Sequence, residues 1–353
     1  MNRVRVAVIG VGALGQHHAR ILSSMADVQL IGVVDAREEQ GKAIAAKHQT
    51  QWFATAEEVR PLVDGVVIAV PTVLHYEVAR PFIEAGIAVM IEKPLADGLQ
   101  AARSLQGLAT SRKSLLQVGH VERFNPAFEL LQQRVQQPMY IRCQRLSPYT
   151  FRSTDIGVVH DLMIHDIDLV LALTGDSVTS VDSFGAVTFG PHEDMAVARL
   201  KTSSGIIADI TASRMNPTPE RTIQVWGRNG CISADLQTRK VSCWEPVAAL
   251  AARPSMVHDI ISATPNPLSL KDEVFSKWMN NEQLQASSAD ALTAELSDFV
   301  TCIRTGDRPR VTGEAAVQAM EVADRVLAGM PKWSWQAPPI SIPAFDRQER
   351  RVA

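Results

Sequence analysis

The chain is poor in cysteine. Four occur in 353 residues (Cys143, Cys231, Cys243 and Cys302), far apart, with no CxxC pair and no Cys/His cluster. Neither a zinc site nor a disulfide framework is indicated, and reduced thiols in a cytoplasmic protein are the simple expectation. No apolar run reaches the length that crosses a bilayer. The opening MNRVRVAVIGVGALG carries an apolar stretch, but it is short and broken by glycines, so it does not read as a secretory signal. Charge of one sign is also missing: 35 Lys and Arg face 38 Asp and Glu, a formal net charge of −3. Such a balance supplies no field to hold nucleic acid or an anionic membrane, and neither is expected as a partner. No internal repeat is visible.

Hydrophobic residues at 46% and charged residues at 21% fit an ordinary folded protein. The length exceeds one ordinary core, so two domains are expected. In the first third, short apolar runs (VRVAVIG, QLIGVVD, GVVIAVP, AVMIEKP, SLLQVGH) alternate with helix-like segments (HHARILSSM, REEQGKAIAAKH, LHYEVARPFIEAG, QAARSLQGLATSR). Strands that are apolar throughout, separated by helices, indicate a parallel sheet covered on both faces. After residue 120 the rhythm changes. A helix (FNPAFELLQQRVQQP), a strand (MYIRCQRLSPYT) and a second helix lead into a meander whose strands alternate in polarity and are separated by turn signals such as TSSG and GRNG. The expected fold is therefore α/β: a doubly wound domain over residues 1–120, then an α/β domain with a large, mostly antiparallel sheet over residues 121–353. Two helices, SADALTAELSDFVTCIRTG and GEAAVQAMEVADRVLAG, close the second part, and the terminal one is a candidate to pack back on the first domain. Residues 250–290 are hard to read.

Gly10, Gly12 and Gly15, with Ala13 and Leu14 between them, spell GxGxxG. Alone the motif is weak. Here it follows a strand, opens a helix, and precedes by 20 residues an acid, Asp35, at the end of the second strand. That is the full context of a dinucleotide fingerprint. A diphosphate would lie on the helix N-terminus, where free N–H groups and the dipole favour an anion. Asp35 would accept from ribose hydroxyls and oppose a 2′-phosphate, which favours NAD over NADP. Arg37, two residues on, leaves NADP open.

Glu92-Lys93-Pro94 follows the strand AVMI, at the carboxyl edge of the sheet where such folds bind ligands. By position alone, Lys93 is as readily a solvated loop lysine. Residues 157–169 read GVVHDLMIHDIDL, five polar residues in an apolar run. Burying charge costs several kcal/mol unless it is paired, so these residues need a reason. On a helix Asp161, His165 and Asp168 share one face while Met163, Ile167, Val170 and Leu171 lie on another.

The glycine fingerprint, VPTVLH at 70–75, EKP at 92–94 and D-x-x-x-H at Asp161 and His165 together resemble the Gfo/Idh/MocA oxidoreductases, over nearly the whole chain. VGHVERFNPAF (118–128) and GVVHDLMIHDIDL are similar to that family's UDP-N-acetylglucosamine 3-dehydrogenase branch. The resemblance implies a sugar, nucleotide-sugar or cyclitol substrate between the nicotinamide and the large sheet. It places Lys93, Asp161 and His165 at the catalytic positions. Neutral His165 would accept the hydroxyl proton, Lys93 would stabilise the developing alkoxide, and Asp161 would orient His165 or the substrate. Pro71, Thr72, His75, Glu92 and Lys93 would then join the glycine loop, Asp35 and Arg37 in holding the cofactor. His120, Arg123, Asn125 and Arg152 would join the catalytic three in the substrate cleft.

His160 and Asp166 read as structural or solvent-facing, and Asp168 as a helix-fixing hydrogen-bond partner. Arg145, Arg152 and Arg221 are either diphosphate partners or surface arginines. Trp226 and Trp244 read as packing rather than as nucleobase platforms. A metal at Asp161 and His165 lacks a convincing third ligand. Within the resemblance, oxidation of UDP-N-acetylglucosamine at carbon 3 competes with oxidation of a free sugar or inositol, and with a non-catalytic nucleotide-sensing protein on the same scaffold. Subunits packed on the outer sheet face would give a homodimer or homotetramer.

Overall fold

The apolar runs of the first 120 residues become one parallel sheet. The computed structural model describes residues 3–151 and 156–334. Strands β1 (Val4–Ile9), β2 (Val28–Val34), β3 (Gln51–Phe53), β4 (Gly65–Ile68), β5 (Ala88–Glu92) and β6 (Leu116–Gly119) lie in the order β3-β2-β1-β4-β5-β6. Helices α1 (Gly15–Ser24), α2 (Glu38–Lys47), α3 (Ala56–Val59), α4 (His75–Glu84) and α5 (Leu99–Arg112) connect them. Strands β4, β5 and β6 are buried along their whole length, which is why they read as continuous apolar runs rather than alternating ones. The strand order reverses between β1 and β4, so a crevice opens at their carboxyl ends. Strand β3, QWF, has no apolar run to announce it; it exists because it pairs with the last three residues of β2.

The second sheet has nine strands in the order β14-β13-β12-β11-β7-β10-β9-β8-β15. They are β7 (Pro138–Leu146), β8 (Val178–Val187), β9 (Met195–Thr202), β10 (Ile207–Ser213), β11 (Glu220–Gly227), β12 (Gly230–Asp235), β13 (Lys240–Pro246), β14 (Met279–Gln285) and β15 (Lys332–Ser334). Neighbours are antiparallel except β7 with β10 and β8 with β15. Ala196, Ala198, Leu200 and Thr202 of β9 are buried while Arg199 and Lys201 are exposed, so one face meets the core and the other does not. Helix α6 (Pro126–Arg134) starts on an Asn125 side-chain cap with Pro at its first position. Helix α7 (Ile164–Thr174) follows a single π-helical turn, Val159–Met163.

The unreadable stretch contains α8 (Ala248–Ala252), α9 (Met256–Ala263) and β14, an edge strand whose sequence MNNEQLQ has no apolar face to betray it. Helix α10 (Ala291–Thr305) returns to the first sheet. Its Leu296, Phe299 and Val300 share a core with Val6, Val8 and Leu22. Helix α11 (Gly313–Gly329) packs on α5 and α7. Among the described residues no helix is long and apolar enough to cross a membrane.

Candidate active site

The glycine loop leaves β1 at Gly10, whose φ of +84° only glycine adopts without strain. A Cβ on Gly15 would sit 1.8 Å from the Gly10 carbonyl oxygen, so nothing larger fits where α1 begins. Gly12 faces open space, its nearest neighbour being the Arg37 guanidinium at 3.8 Å from a built Cβ. The loop is therefore shaped for close approach by a diphosphate to free helix N–H groups, with Ala13 and Leu14 exposed beside it. Asp35 lies at the end of β2, where one carboxylate oxygen accepts from Val11 N (3.0 Å) and the other from Arg37 N (2.9 Å). These bonds fix the carboxylate at the carboxyl end of β2 and leave lone pairs for ribose hydroxyls. The Arg37 side chain is mostly exposed and only loosely paired with Asp35, at 3.4 Å. These residues fit a dinucleotide.

Pro71 and Thr72 continue from β4 into a short turn of 3₁₀ helix at the same crevice edge. His75 does not line it. Its ring is buried, with Nδ1 2.9 Å from the Pro94 carbonyl oxygen and Nε2 3.0 Å from that of Val70. It ties the loop after β4 to the loop after β5. Glu92 is turned inward too: its carboxylate meets His18 Nε2 at 2.7 Å, joining β5 to α1.

Lys93 points the other way. Its ammonium donates to the Asp161 carbonyl oxygen (2.7 Å) and to Asp161 Oδ1 (3.1 Å). The pair is partly open, with Lys93 17% and Asp161 25% exposed at the side chain. Asp161 lies on the π turn, whose start is held by Glu193: its carbonyl accepts from Val158 N and its carboxylate from Val159 N. The π turn means that Asp161 and His165 are not separated by a regular α-helical turn, as the spacing alone suggested. His165 nevertheless lies in the same cleft. Burial, then the nearby Lys93 ammonium and Arg145, hold its imidazole well below the ordinary histidine range, so it is neutral at neutral pH. A neutral imidazole is what a proton acceptor must be.

Behind this group stands a buried ionic frame that the sequence reading missed. Arg145 on β7 meets Asp166 of α7 bidentately (3.0 and 2.8 Å) and Glu122 at 2.8 Å. Asn125 donates to Glu122 and to the Leu236 carbonyl while capping α6. Arg145 is therefore neither a surface arginine nor free for a diphosphate: it is buried with its charge spent on two carboxylates. Asn125 is likewise an internal bracket and does not reach the cleft. The one available signal was an apolar residue on one side of each: Val121 before Glu122, Leu146 after Arg145 and Ile167 after Asp166.

Arg123 pairs with Asp168 at 3.5 Å, and His120 is buried against His165. Arg221 is half exposed, 3.8 Å from Glu122, and near enough to His165 for its charge to act there. Arg152 lies outside the described residues. His160 pairs with Asp324 of α11 at 3.2 Å, a structural tie. Trp226 stacks with Tyr140 on the outer sheet face, where Arg142 lies over it. Among the described residues no group of three or more His, Cys, Asp or Glu side chains is arranged to hold a metal.

A GxGxxG crevice, an acid at the end of β2, and a lysine beside a neutral histidine define a dinucleotide-dependent oxidoreductase. Residues 4–120 match the model of the oxidoreductase family with an NAD-binding Rossmann fold, and residues 130–233 match the GFO/IDH/MocA C-terminal domain. The chain is 32% identical over 304 residues to UDP-N-acetylglucosamine 3-dehydrogenase of Acidithiobacillus ferrooxidans, covering 86% of this chain and 90% of that protein. It is 27% identical over 341 residues to scyllo-inositol 2-dehydrogenase (NAD(+)) of Bacillus subtilis, covering 91% and 92%. A solved structure of the Acidithiobacillus ferrooxidans enzyme superposes with a TM-score of 0.82 at 30% identity, over 94% of this chain and 98% of that one. The chain belongs to the Gfo/Idh/MocA family of oxidoreductases, and its cofactor is NAD.

Proposed function

We propose that the protein oxidises a secondary hydroxyl of a nucleotide sugar to a ketone, with UDP-N-acetylglucosamine, oxidised at carbon 3, as the substrate. The observation that carries the chemistry is the Lys93–Asp161 pair beside His165, at the carboxyl end of β5. Bound in the crevice, the nicotinamide supplies the hydride acceptor. Neutral His165 takes the hydroxyl proton. Lys93, held by two bonds to Asp161, keeps an ammonium aimed at the same oxygen and favours its developing negative charge in a largely dry site. Asp161 fixes Lys93 and offsets its charge.

The similarity to the Acidithiobacillus enzyme supports the substrate. Arg221, half exposed at the cleft, offers a cation to a diphosphate. The similarity to inositol dehydrogenases supports a second reading, oxidation of a cyclitol by the same residues. The domain boundary near residue 120, a cytoplasmic location and a homo-oligomer packed through the outer face of the second sheet belong to the same proposal. A screen of purified protein with NAD against UDP-N-acetylglucosamine, UDP-glucose, glucose and inositol, each with a carbonyl trap, tests it. NADH formed only with UDP-N-acetylglucosamine, with the keto group at carbon 3, establishes the substrate. NADH with inositol alone moves the substrate and keeps the site. Silence throughout with NAD binding intact favours a nucleotide-sensing protein.

A further inference from the structure

Three side chains in and behind the cleft share an uncommon deficit. His120, at the end of β6, is 1% exposed, and neither of its ring nitrogens has a hydrogen-bond partner. Its ring stands edge-on to that of His165, with centroids 6.3 Å apart and planes at 87°. His165 Nδ1 is also buried without a partner. Asp168, three residues further along α7, is 1% exposed; its Oδ1 meets Arg123, and its Oδ2 is orphaned. Buried polar atoms are nearly always paired, so a run of orphans on neighbouring side chains calls for a reason.

Oxidation of an alcohol by NAD releases one proton per turnover. If His165 is the acceptor, as proposed above, the imidazolium it becomes is half-buried and feels Lys93, Arg145 and Arg221, all cationic. The Asp161 carboxylate that shares the cleft is already paired with Lys93. The other groups facing this tier differ in sign. Lys93 and Arg123 oppose a proton on His120, while Asp168 and Glu92 favour one, Asp168 more strongly. Glu295 of α10 is held neutral by burial and by the nearby Glu92, Asp298 and Asp168.

We propose that His120 and Asp168 form a proton relay behind His165. In each turnover the Nδ1–H bond of the His165 imidazolium breaks and an N–H bond forms on His120. The Asp168 carboxylate stabilises the resulting cation, and the proton leaves past Asp168 and the partly exposed Arg123. His165 is left neutral with the substrate proton on Nε2, and a tautomer shift through water frees that nitrogen before the next turnover. His120 also returns to neutral, and no electron is moved. The ring separation is too long for a direct N–H···N bond, so one bridging water carries the transfer, as is usual for polar atoms enclosed in a polar site.

The test has two arms on the full-length enzyme. Side-chain NMR of ¹⁵N-histidine-labelled protein needs no substrate. The two imidazoles should titrate as a coupled pair. His120→Gln should shift the His165 titration upward, and Asp168→Asn should shift that of His120 downward. The kinetic arm uses whichever of UDP-N-acetylglucosamine or inositol is turned over. In His120→Gln and Asp168→Asn, kcat should fall by roughly 100-fold, the low end of what a positioned proton acceptor contributes. KM and NAD binding should hold, and the solvent deuterium isotope effect on kcat should rise. Unchanged titrations together with an unchanged isotope effect overturn the relay, whatever kcat does, because a merely structural role lowers kcat alone. If His120→Gln does not fold, Asp168→Asn carries the same readouts. Full turnover by His165→Gln would remove the base and the relay with it. A dead His165→Gln beside a normal His120→Gln removes the relay alone.

Discussion

The Lys93 ammonium is held twice by one residue, through the carbonyl and the carboxylate of Asp161, 68 positions away in sequence. The bond joins the end of the parallel sheet to the π turn ahead of α7, so the fold brings the site together rather than any single motif. Replacing Lys93 by Met keeps most of the stem and removes the charge. Turnover is expected to fall by about 100- to 1,000-fold, the usual effect of losing one donor to a developing oxyanion. NAD affinity should hold, since Asp35 and the glycine loop are untouched. Steady-state rates and fluorescence titration with NAD check both halves; undiminished turnover would remove Lys93 from the site.

Asp35 does two jobs at once, facing the crevice and accepting from Val11 N inside the glycine loop. Asp35→Ala is therefore expected to weaken NAD in two ways, by loss of the ribose acceptor and by loosening of the loop. NADP should suffer less, because the carboxylate that opposes a 2′-phosphate is gone and Arg37 stays beside Gly12. Comparing the dissociation constants of both cofactors for the wild type and the variant decides the matter. A variant that loses NADP more than NAD would contradict the assigned role.

Much of this was legible in the sequence, for reasons that differ by region. The parallel strands announced themselves because burial on both faces demands unbroken apolar runs. Gly10, Gly15 and Asp35 were legible because a diphosphate loop tolerates few residues at those places. The π turn was not, since one extra residue in a turn leaves no compositional trace. Strands β3 and β14 owe their form to pairing with β2 and β13, not to their own residues. His75 and Asn125 were expected at the cofactor and in the cleft; a polar residue near a site looks the same in sequence whether it touches ligand or braces a loop. The frame of Glu122, Arg145 and Asp166 depends on tertiary neighbours 21 and 23 positions apart.

That frame yields a prediction about stability. Arg145 is 4% exposed and Asp166 1%, so breaking the pair strips a buried cation of its bidentate partner and leaves it Glu122 alone. Asp166→Asn is expected to cost about 3–5 kcal/mol. The triple change Arg145→Met, Asp166→Leu and Glu122→Gln should cost less than the single one, because it leaves none of the three charges buried without its partner. Urea unfolding of the three proteins tests this, and a milder single variant would show the pair to be wetter than the structure has it.

The buried titratable groups pull stability in opposite directions as pH changes. Burial holds His75, His120 and His165 below the ordinary value of 6.5. For each, the unfolded chain binds the proton more readily, so the native state loses stability as pH falls through about 6.5. Glu295 has the reverse sign. It is fully buried, neither carboxyl oxygen has a partner, and burial with the nearby Glu92, Asp298 and Asp168 raises it well above the ordinary 4.5. Above pH 4.5 the unfolded chain gives up that proton while the folded one keeps it, which costs stability at neutral pH. Glu295→Gln removes the cost. The variant should melt a few degrees higher than the wild type at pH 7 to 8. Its advantage should shrink as pH falls and vanish below about 4.5, where the glutamate is protonated in both states. Thermal unfolding across pH 4 to 8 reads the difference, and an advantage that does not vary with pH would mean that Glu295 is ionised in the native protein.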